Sequence, residues 1–469
     1  VPDSGCDPIG ATQPDRHPPE AIEHSGQTLI GVDGASPVSE ACRHTGWMQR
    51  FFEDDGFHFA TLIALGSAYR GLADVGEVLA TIERIPEGDR EAWVSEFSAT
   101  AKRLADAGDA SAHGGHGTSA RTAWLRASLY YDLASSMAAG TSDPDRYHSL
   151  WEQSRDLWDN AIDLWPTPVD RVRIPYEDGE LEGYLWHPAG DTREPLPTVI
   201  LNNGSDGPVN AMWTQGGAAA VERGWRALAF DGPGQGVALH RHGMHFRPDW
   251  EAVVTPVVDF IGDRSDVDAE RIVLHGISQA GYWVPRAAAF EHRLAAVVAD
   301  PGCTNVAASW ETHLPDSMST MLDDGDSKDF DEFMEIGMSD DPVAAAELAW
   351  RMAPYGTKSY YEAYQAARAQ SLDDETISRI TSPTLVTSPD HEQFWPGQSE
   401  ELYDKLRCEK QLIRFTVAEG ADWHCEVAAQ SLRDERVFDW IEDVLSGLSK
   451  SSETRRSEDR TKTRARSGS

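Results

Sequence analysis

Arg271-Ile-Val-Leu-His-Gly-Ile-Ser278-Gln-Ala-Gly-Tyr282 is the stretch from which the fold of this chain can be read. A short apolar run, Ile272 to Leu274, meets Gly276-Ile277-Ser278-Gln279-Ala280-Gly281, and an Ala-rich stretch of helical character follows. Strand, sharp turn and helix in that order make a nucleophile elbow. The turn forces unusual backbone angles on Ser278, so its neighbours must be small, as Gly276, Ala280 and Gly281 are. Such a turn points Oγ away from the sheet and aims the Gln279 amide, at the helix start, toward any oxyanion formed there. The plainer alternative is a tight strand-to-helix turn with a serine cap. A G-x-S-x-A pattern is weak alone and gains weight from its place between strand and helix.

Composition narrows the partners. The 469 residues hold 78 Asp and Glu against 41 Lys and Arg, a net charge of -37, and can form one large domain plus a smaller one. Phosphate binding needs concentrated positive charge, so nucleic acid is not an expected partner. Lysine is scarce: seven residues (102, 328, 358, 405, 410, 450, 462), with Arg supplying the other 34 cations. A carboxylate-rich, Lys-poor surface suits solubility in concentrated salt, where self-repulsion is screened, and the expectation is a halophilic source. A high-GC bacterium, with codons favouring Arg, Ala and Asp, is the competing explanation. Five scattered cysteines (6, 42, 303, 408, 425), without C-x-x-C spacing, argue against disulfides or structural zinc and for a reducing cytoplasm. No apolar run approaches the ~20 residues of a membrane helix, and the opening residues lack a signal pattern.

Residues 1–44 are rich in Pro, Gly, Asp and Ser and predict a loosely held arm. From 45 to 166 the apolar spacing is helical, predicting four or five helices packed as a cap, two of them broken by His113-Gly-Gly-His116. The texture changes at Pro166-Thr-Pro168. Arg171 to Tyr176, Glu177-Asp178-Gly179 and Glu180 to Trp186 read as a β-hairpin. Strands at 197–201, 225–230, 272–274, 294–299, 384–387 and 411–417 then alternate with helices near 249–262, 398–407 and 426–446. That rhythm predicts an α/β fold, with a doubly wound, mostly parallel sheet over 167–446. Residues 305–378 interrupt it with acidic, helical sequence rich in Trp, Met and Tyr, expected to lie as a lid over the carboxyl ends of the strands. From 447 a Ser/Thr/Arg-rich disordered tail is expected. Pro285 falls inside the helix after the elbow, where it removes a hydrogen bond, so a kink or an irregular turn is expected.

A serine hydroxyl becomes a good nucleophile when an imidazole takes its proton and a carboxylate fixes that imidazole's tautomer. In a doubly wound hydrolase these follow in the order Ser, acid, His. His424 lies in Ala418-Glu-Gly-Ala-Asp-Trp-His-Cys-Glu426, between the last strand and the last helix, where a loop can return to the elbow. The acid is expected after the strand 384–387, where Asp390 and Glu392 compete; Asp300, ending the strand after the elbow, is a third candidate. A second oxyanion donor is expected from Asn202-Asn203-Gly204-Ser205-Asp206-Gly207, at the amide of Ser205 or Asp206. Asp231-Gly-Pro-Gly-Gln-Gly236 has the glycines of a phosphate loop but no following Lys-Ser/Thr, which excludes a nucleotide site. Histidines 240, 242 and 245 lack the carboxylate partners or helical spacing of a metal site, and no metal or cofactor is expected.

Asn-Asn-Gly-Ser-Asp-Gly, Phe-Asp-Gly-Pro-Gly-Gln-Gly, Gly-Ile-Ser-Gln-Ala-Gly-Tyr-Trp-Val-Pro-Arg and Glu-Gln-Phe-Trp-Pro-Gly-Gln together resemble one branch of the α/β-hydrolases. Members carry a helical N-terminal domain; they include the 2,6-dihydroxypseudooxynicotine hydrolases, the fungal polyketide-shortening pigment hydrolases and, more distantly, the fermentation–respiration switch protein. The resemblance spans 45–445 and is strongest over 168–305. It implies that the family's serine falls on Ser278, its histidine on His424 and its acid in the 390–392 loop. The family's acid precedes a helix-starting proline, which leans toward Glu392 before Pro396, with Asp390 kept beside it. Some relatives cleave a carbon–carbon bond next to a ketone and others are esterases. The expectation is a cofactor-independent serine hydrolase of a small carbonyl substrate, with a homodimer left open. An acylaminoacyl-type peptidase and a non-catalytic binding protein on the same fold are the rivals.

Overall fold

The computed structural model describes residues 50–190 and 194–466, with side chains as far as 448. The chain divides into two units, Val1–Asp33 and Gly34–Ser469, and every described residue belongs to the second. The arm expected over 1–44, with Cys6 and Cys42, lies outside the described residues.

The hairpin is β1 (Val169–Tyr176) and β2 (Gly179–Trp186), antiparallel from Val169 opposite Trp186 to Tyr176 opposite Gly179. Only Glu177 and Asp178 remain to turn the chain, and Glu177 takes a φ of 47°. Along β1 the arginines and Pro175 face water while Val172, Ile174 and Tyr176 are buried, the period-two pattern of a strand with one solvated face. The other strands are β3 (Leu196–Asn202), β4 (Arg226–Phe230), β5 (Val267–Ile277), β6 (Ala296–Asp300), β7 (Thr384–Pro389) and β8 (Lys410–Phe415). All eight form one sheet in the order β1-β2-β4-β3-β5-β6-β7-β8; β2 joins β4 antiparallel, and β4 through β8 are parallel. After β3 the chain builds β4 on one side and then crosses to lay β5 on the other. The carboxyl ends of β3 and β5 therefore splay apart at a topological switch point, where open α/β sheets bind their ligands. Asn202 pairs with Gly276 there, bringing the loop after β3 beside the elbow.

Five helices fill the segment read as helical: α1 (Asp55–Ser67), α2 (Val75–Ile82), α3 (Arg90–His113), α4 (Gly117–Ser136) and α5 (Arg146–Ile162). Asp54, Asp74 and Asp89 cap the first three by accepting backbone N–H groups, so part of the acidic excess serves local structure. The helices share a core with the sheet. Phe57, Trp93, Phe97 and Trp158 belong to the same buried cluster as Trp186, Leu201, Val273 and Phe438. Polar contacts pin the same interface: Arg155 of α5 meets Asp231 at 2.9 Å, and Asn210 Nδ2 donates to Ser128 Oγ and Asp132 Oδ2 at 2.6 and 2.7 Å.

The insertion is helical and builds a small core of its own from Met318, Leu322, Phe330, Met334 and Tyr364. It touches the helical segment through an Arg90–Glu347 ion pair and through Trp350 on Tyr147. It touches the elbow through Gln370, whose Oε1 accepts from Gln279 Nε2 and Trp283 Nε1, both at 3.0 Å. It thus sits at the carboxyl ends of the strands, the position expected for it.

Pro285 is accommodated without breaking the helix Ala280–Ala288. The carbonyl it deprives of a donor, that of Gly281, accepts from the Cys303 N–H at 3.3 Å instead. The last helix is Gln430–Arg466, continuing past Ser446, where the sequence predicts its end and a disordered tail. Arg, Lys and Glu, all good helix formers, recur along that extension. No helix among the described residues is long and apolar enough to cross a membrane.

Candidate active site

Ser278 stands between β5 and the helix Ala280–Ala288 with a φ of 59°, in the left-handed region that a side chain other than glycine enters at a cost. Neighbours hold it there. Its N–H donates to the Asp300 carbonyl at 2.7 Å, and the Ser278 carbonyl accepts from the Gly281 N–H at 2.7 Å. A methyl group on Gly281 would collide with the Pro301 carbonyl, which is why the third residue after the serine is glycine.

The Ser278 hydroxyl lies 2.8 Å from His424 Nε2. On the other side of that ring, Nδ1 lies 2.8 and 3.0 Å from the two oxygens of Glu392. Glu392 is oriented in turn by the N–H groups of Phe394 and Trp395, which donate to Oε1 at 3.0 and 3.1 Å. A carboxylate facing Nδ1 calls for the proton on that nitrogen, which leaves the lone pair of Nε2 toward the serine. The side chains of His424 and Glu392 are 4% and 6% exposed, so water competes little for these bonds. The rings of Phe394, Trp395 and, from α1, Phe59 surround the imidazole at 4.7, 5.8 and 6.2 Å.

The other two carboxylates are placed elsewhere. Asp390 still belongs to the sheet edge: its N–H donates to the Phe415 carbonyl, and its Oδ2 accepts from the Val417 N–H at 3.2 Å. It is exposed and is not the partner of His424, because the chain turns toward the histidine only after β7 pairing ends. Asp300 is fully buried, with Oδ1 accepting from Thr387 Oγ1 at 2.7 Å.

The loop after β3 passes against the serine. A Cβ on Gly204 would sit 2.7 Å from Ser278 Cβ and 3.1 Å from its Oγ. The Gly204 N–H is occupied by Asn203 Oδ1 at 2.8 Å, whereas the amides of Ser205 and Asp206 have no acceptor among the described residues. Gln235 braces this loop, its Nε2 donating to the carbonyls of Asn203 and Gly204 at 2.8 and 2.6 Å while its Oε1 accepts from the Gly232 N–H. The sequence showed the Gly-rich loop around Gln235 but not this task; an amide side chain set among glycines was the signal. Asp231 opens that loop and accepts from Arg155 and from the Val237 N–H at 3.1 Å, so a helix of the N-terminal segment fixes the base of the site. Burial opposes the charge on Arg155, but Asp231, Tyr184 and Asp159 hold its pKa above the usual guanidinium value.

The loop histidines serve packing. His240 meets Tyr147 Oη at 3.2 Å and is pushed down to about 4, mainly by burial. His242 lies 3.6 Å from Glu182, and His245 packs on Gly356. Among the described residues no group of three or more His, Cys, Asp or Glu is arranged to hold a metal ion.

No family model matches the chain. Single proteins do. A Fusarium hydrolase, LUC6, is 31% identical over 421 residues, spanning 85% of this chain and 98% of its own length. The hydrolase acrC of Aspergillus aculeatus is 30% identical over 428 residues, with 84% and 98% covered. The 20-hydroxy-prefusarin hydrolase FUS2 of Gibberella moniliformis is 27% identical over 423 residues, with 85% and 99% covered. Among solved structures, 2,6-dihydroxy-pseudo-oxynicotine hydrolase superposes with a TM-score of 0.64 at 19% identity, covering 81% of this chain and 95% of its own. AbyA5 superposes at 0.53 and 16% identity, with 82% and 97% covered. With near-complete coverage of hydrolases about 30% identical, an open, mostly parallel sheet and a helical segment before it, the chain belongs to the α/β-hydrolases, in the branch with a helical N-terminal domain.

Proposed function

We propose that this hydrolase uses Ser278 as nucleophile, His424 as general base and then acid, and Glu392 as the carboxylate that sets the imidazole's tautomer. The supporting observation is the unbroken chain of short contacts from Ser278 Oγ through both ring nitrogens to Glu392. Ser278 attacks a carbonyl carbon; the hydroxyl proton passes to Nε2, and the new oxyanion lies toward the Gln279 amide and the free amides of Ser205 and Asp206. The imidazolium then returns the proton to the leaving group, and water repeats the cycle on the acyl-enzyme. On an ester the leaving group is an alkoxide. On a β-diketone-like compound it is a carbanion stabilised by the second carbonyl. No cofactor is needed for either course.

The substrate class we infer is a small carbonyl compound, either an ester or a ketone with a cleavable neighbouring C–C bond. The aromatic rings around His424 suit an apolar or conjugated body. A relative named for hydrolysis of 20-hydroxy-prefusarin makes hydroxylated compounds the first class to test. A fluorophosphonate probe tests the assignment. The expected result is labelling at Ser278 that is lost in His424→Ala and in Ser278→Ala. A folded chain that takes no label, at low or high salt, overturns it and favours a binding protein. A panel of p-nitrophenyl esters beside a β-diketone then separates the two bond types.

A further inference from the structure

Next to the elbow four ionisable side chains meet out of reach of solvent: His275 of β5, Asp300 of β6, Glu426 two residues after His424, and Arg433 of the last helix, each 0% exposed. Arg433 has partners in Gln215 Oε1, the Thr214 carbonyl at 2.6 Å and Asp434 at 2.9 Å. The acids do not. Both Glu426 carboxyl oxygens and Asp300 Oδ2 have no hydrogen-bond donor among the described residues. His275 Nε2 is 3.7 Å from that Oδ2, too far for a hydrogen bond. Glu426 and Asp300 are nonetheless close neighbours in this cluster: the Cys425 thiol, one residue before Glu426, donates to the Asp300 carbonyl at 3.4 Å, and the two carboxyl groups feel each other's charge.

Two fully buried neighbouring carboxylates resist both being charged, since each charge disfavours the other and burial disfavours both. One proton between them removes the conflict and satisfies an orphan oxygen on each side. The proton belongs on Glu426. Burial first, and then the facing Asp300 charge, push Glu426 well above the usual carboxyl range. Burial works the same way on Asp300, but His275 and Arg433 leave its carboxyl below that range. Glu392 and Cys425 are further ionisable neighbours, and the Cys425 thiol is pushed up by burial.

We propose that Glu426 is a positioning residue: its protonated carboxyl donates a hydrogen bond to Asp300, and this acid pair, sharing one proton, pins the turn that presents His424 to Ser278. The backbone shows why a pin is needed. Cys425 and Glu426 are consecutive non-glycine residues at positive φ, 56° and 47°, conformations that persist when surrounding contacts impose them. Those angles let His424 reach the serine while Glu426 turns into the buried cluster. The Asp300 carbonyl is the joint, accepting both the Ser278 N–H at 2.7 Å and the Cys425 thiol at 3.4 Å. The role rests on reading Ser278 and His424 as nucleophile and base, whereas the shared proton does not.

Infrared difference spectroscopy of the full chain at alkaline pH, wild type minus Glu426→Gln, reads the proton directly. The expected result is a neutral carboxylic-acid carbonyl band in the wild type. Asp300→Asn should lose it too, because the introduced side-chain amide can then donate to an ionised Glu426. Absence of the band overturns the acid pair. Steady-state ester hydrolysis and probe labelling read the positioning. Glu426→Gln, which can still donate to Asp300, should turn over close to the wild-type rate. Glu426→Ala should lose about 100-fold in kcat with little change in KM, the cost of a misplaced base. Equal loss in both variants, or none in Glu426→Ala, overturns the positioning role. A wild-type chain that shows the band but never reacts with the probe overturns the nucleophile reading, and the positioning role with it, while the acid pair stands.

Discussion

Replacing Glu392 by Gln tests the triad assignment without disturbing its shape. Oε1 accepts two backbone N–H groups, from Phe394 and Trp395, so the amide oxygen of a Gln must stay there and its nitrogen falls at the position of Oε2. Oε2 is the oxygen nearer to His424 Nδ1, at 2.8 Å. An N–H₂ in that place donates to Nδ1 and drives the ring proton to Nε2, which can then no longer take the proton of Ser278. A wrong tautomer with intact geometry costs about 10⁴ in kcat in triads of this kind, or about 5 kcal/mol of transition-state stabilisation. The assay is kcat/KM on a p-nitrophenyl ester beside the fluorophosphonate labelling rate, with the melting temperature confirming that the fold is kept. Asp390→Asn is the paired control and should leave activity unchanged, since that side chain holds only the Val417 N–H. Glu392→Gln within tenfold of wild type, or a large loss in Asp390→Asn, would refute the reasoning.

Further outcomes follow from the same contacts. Gly204→Ala puts a methyl 2.7 Å from Ser278 Cβ and should cut kcat by about 10²–10³, the cost of a disrupted oxyanion loop, while the melting curve moves little. Arg155→Met strands the Asp231 carboxylate in a buried interface and should cost about 3–5 kcal/mol in denaturant unfolding; a loss under about 1 kcal/mol would mean the pair is dispensable. Glu426 holds in the folded state a proton that the unfolded chain releases above the usual carboxyl range, so it makes stability fall as pH rises. Glu426→Gln should therefore lose less melting temperature than wild type as pH rises above the usual carboxyl range, and parallel curves would count against the shared proton. With a net charge of -37 and seven lysines, the melting temperature should rise from dilute to molar KCl; a flat curve removes the case for a halophilic source.

Much of this was legible in the linear chain because its signals are local. Alternation along Arg171–Tyr176, the apolar runs of β3 to β6 and the glycines flanking Ser278 each report a neighbourhood a few residues wide. Chain order alone put His424 where a last loop can return to the elbow. The choice among carboxylates was not legible. Asp390 and Glu392 are two residues apart, and what separates them is where β7 stops pairing with β8. Asp300 looked like a triad acid because it ends the strand beside the elbow, but its side chain is buried against Thr387.

By itself the sequence determined the sheet, the elbow and the order of the candidate groups, since these follow from periodicity, turn sterics and position along the chain. The tertiary structure alone decided that Glu392 meets His424, that Gln235 braces the loop beside the serine, that Arg155 anchors Asp231, and that Phe59 of the first helix reaches the imidazole. Each of those contacts joins residues far apart in the chain. No local pattern carries them, because they exist only when helical segment, sheet and loops close around one buried site.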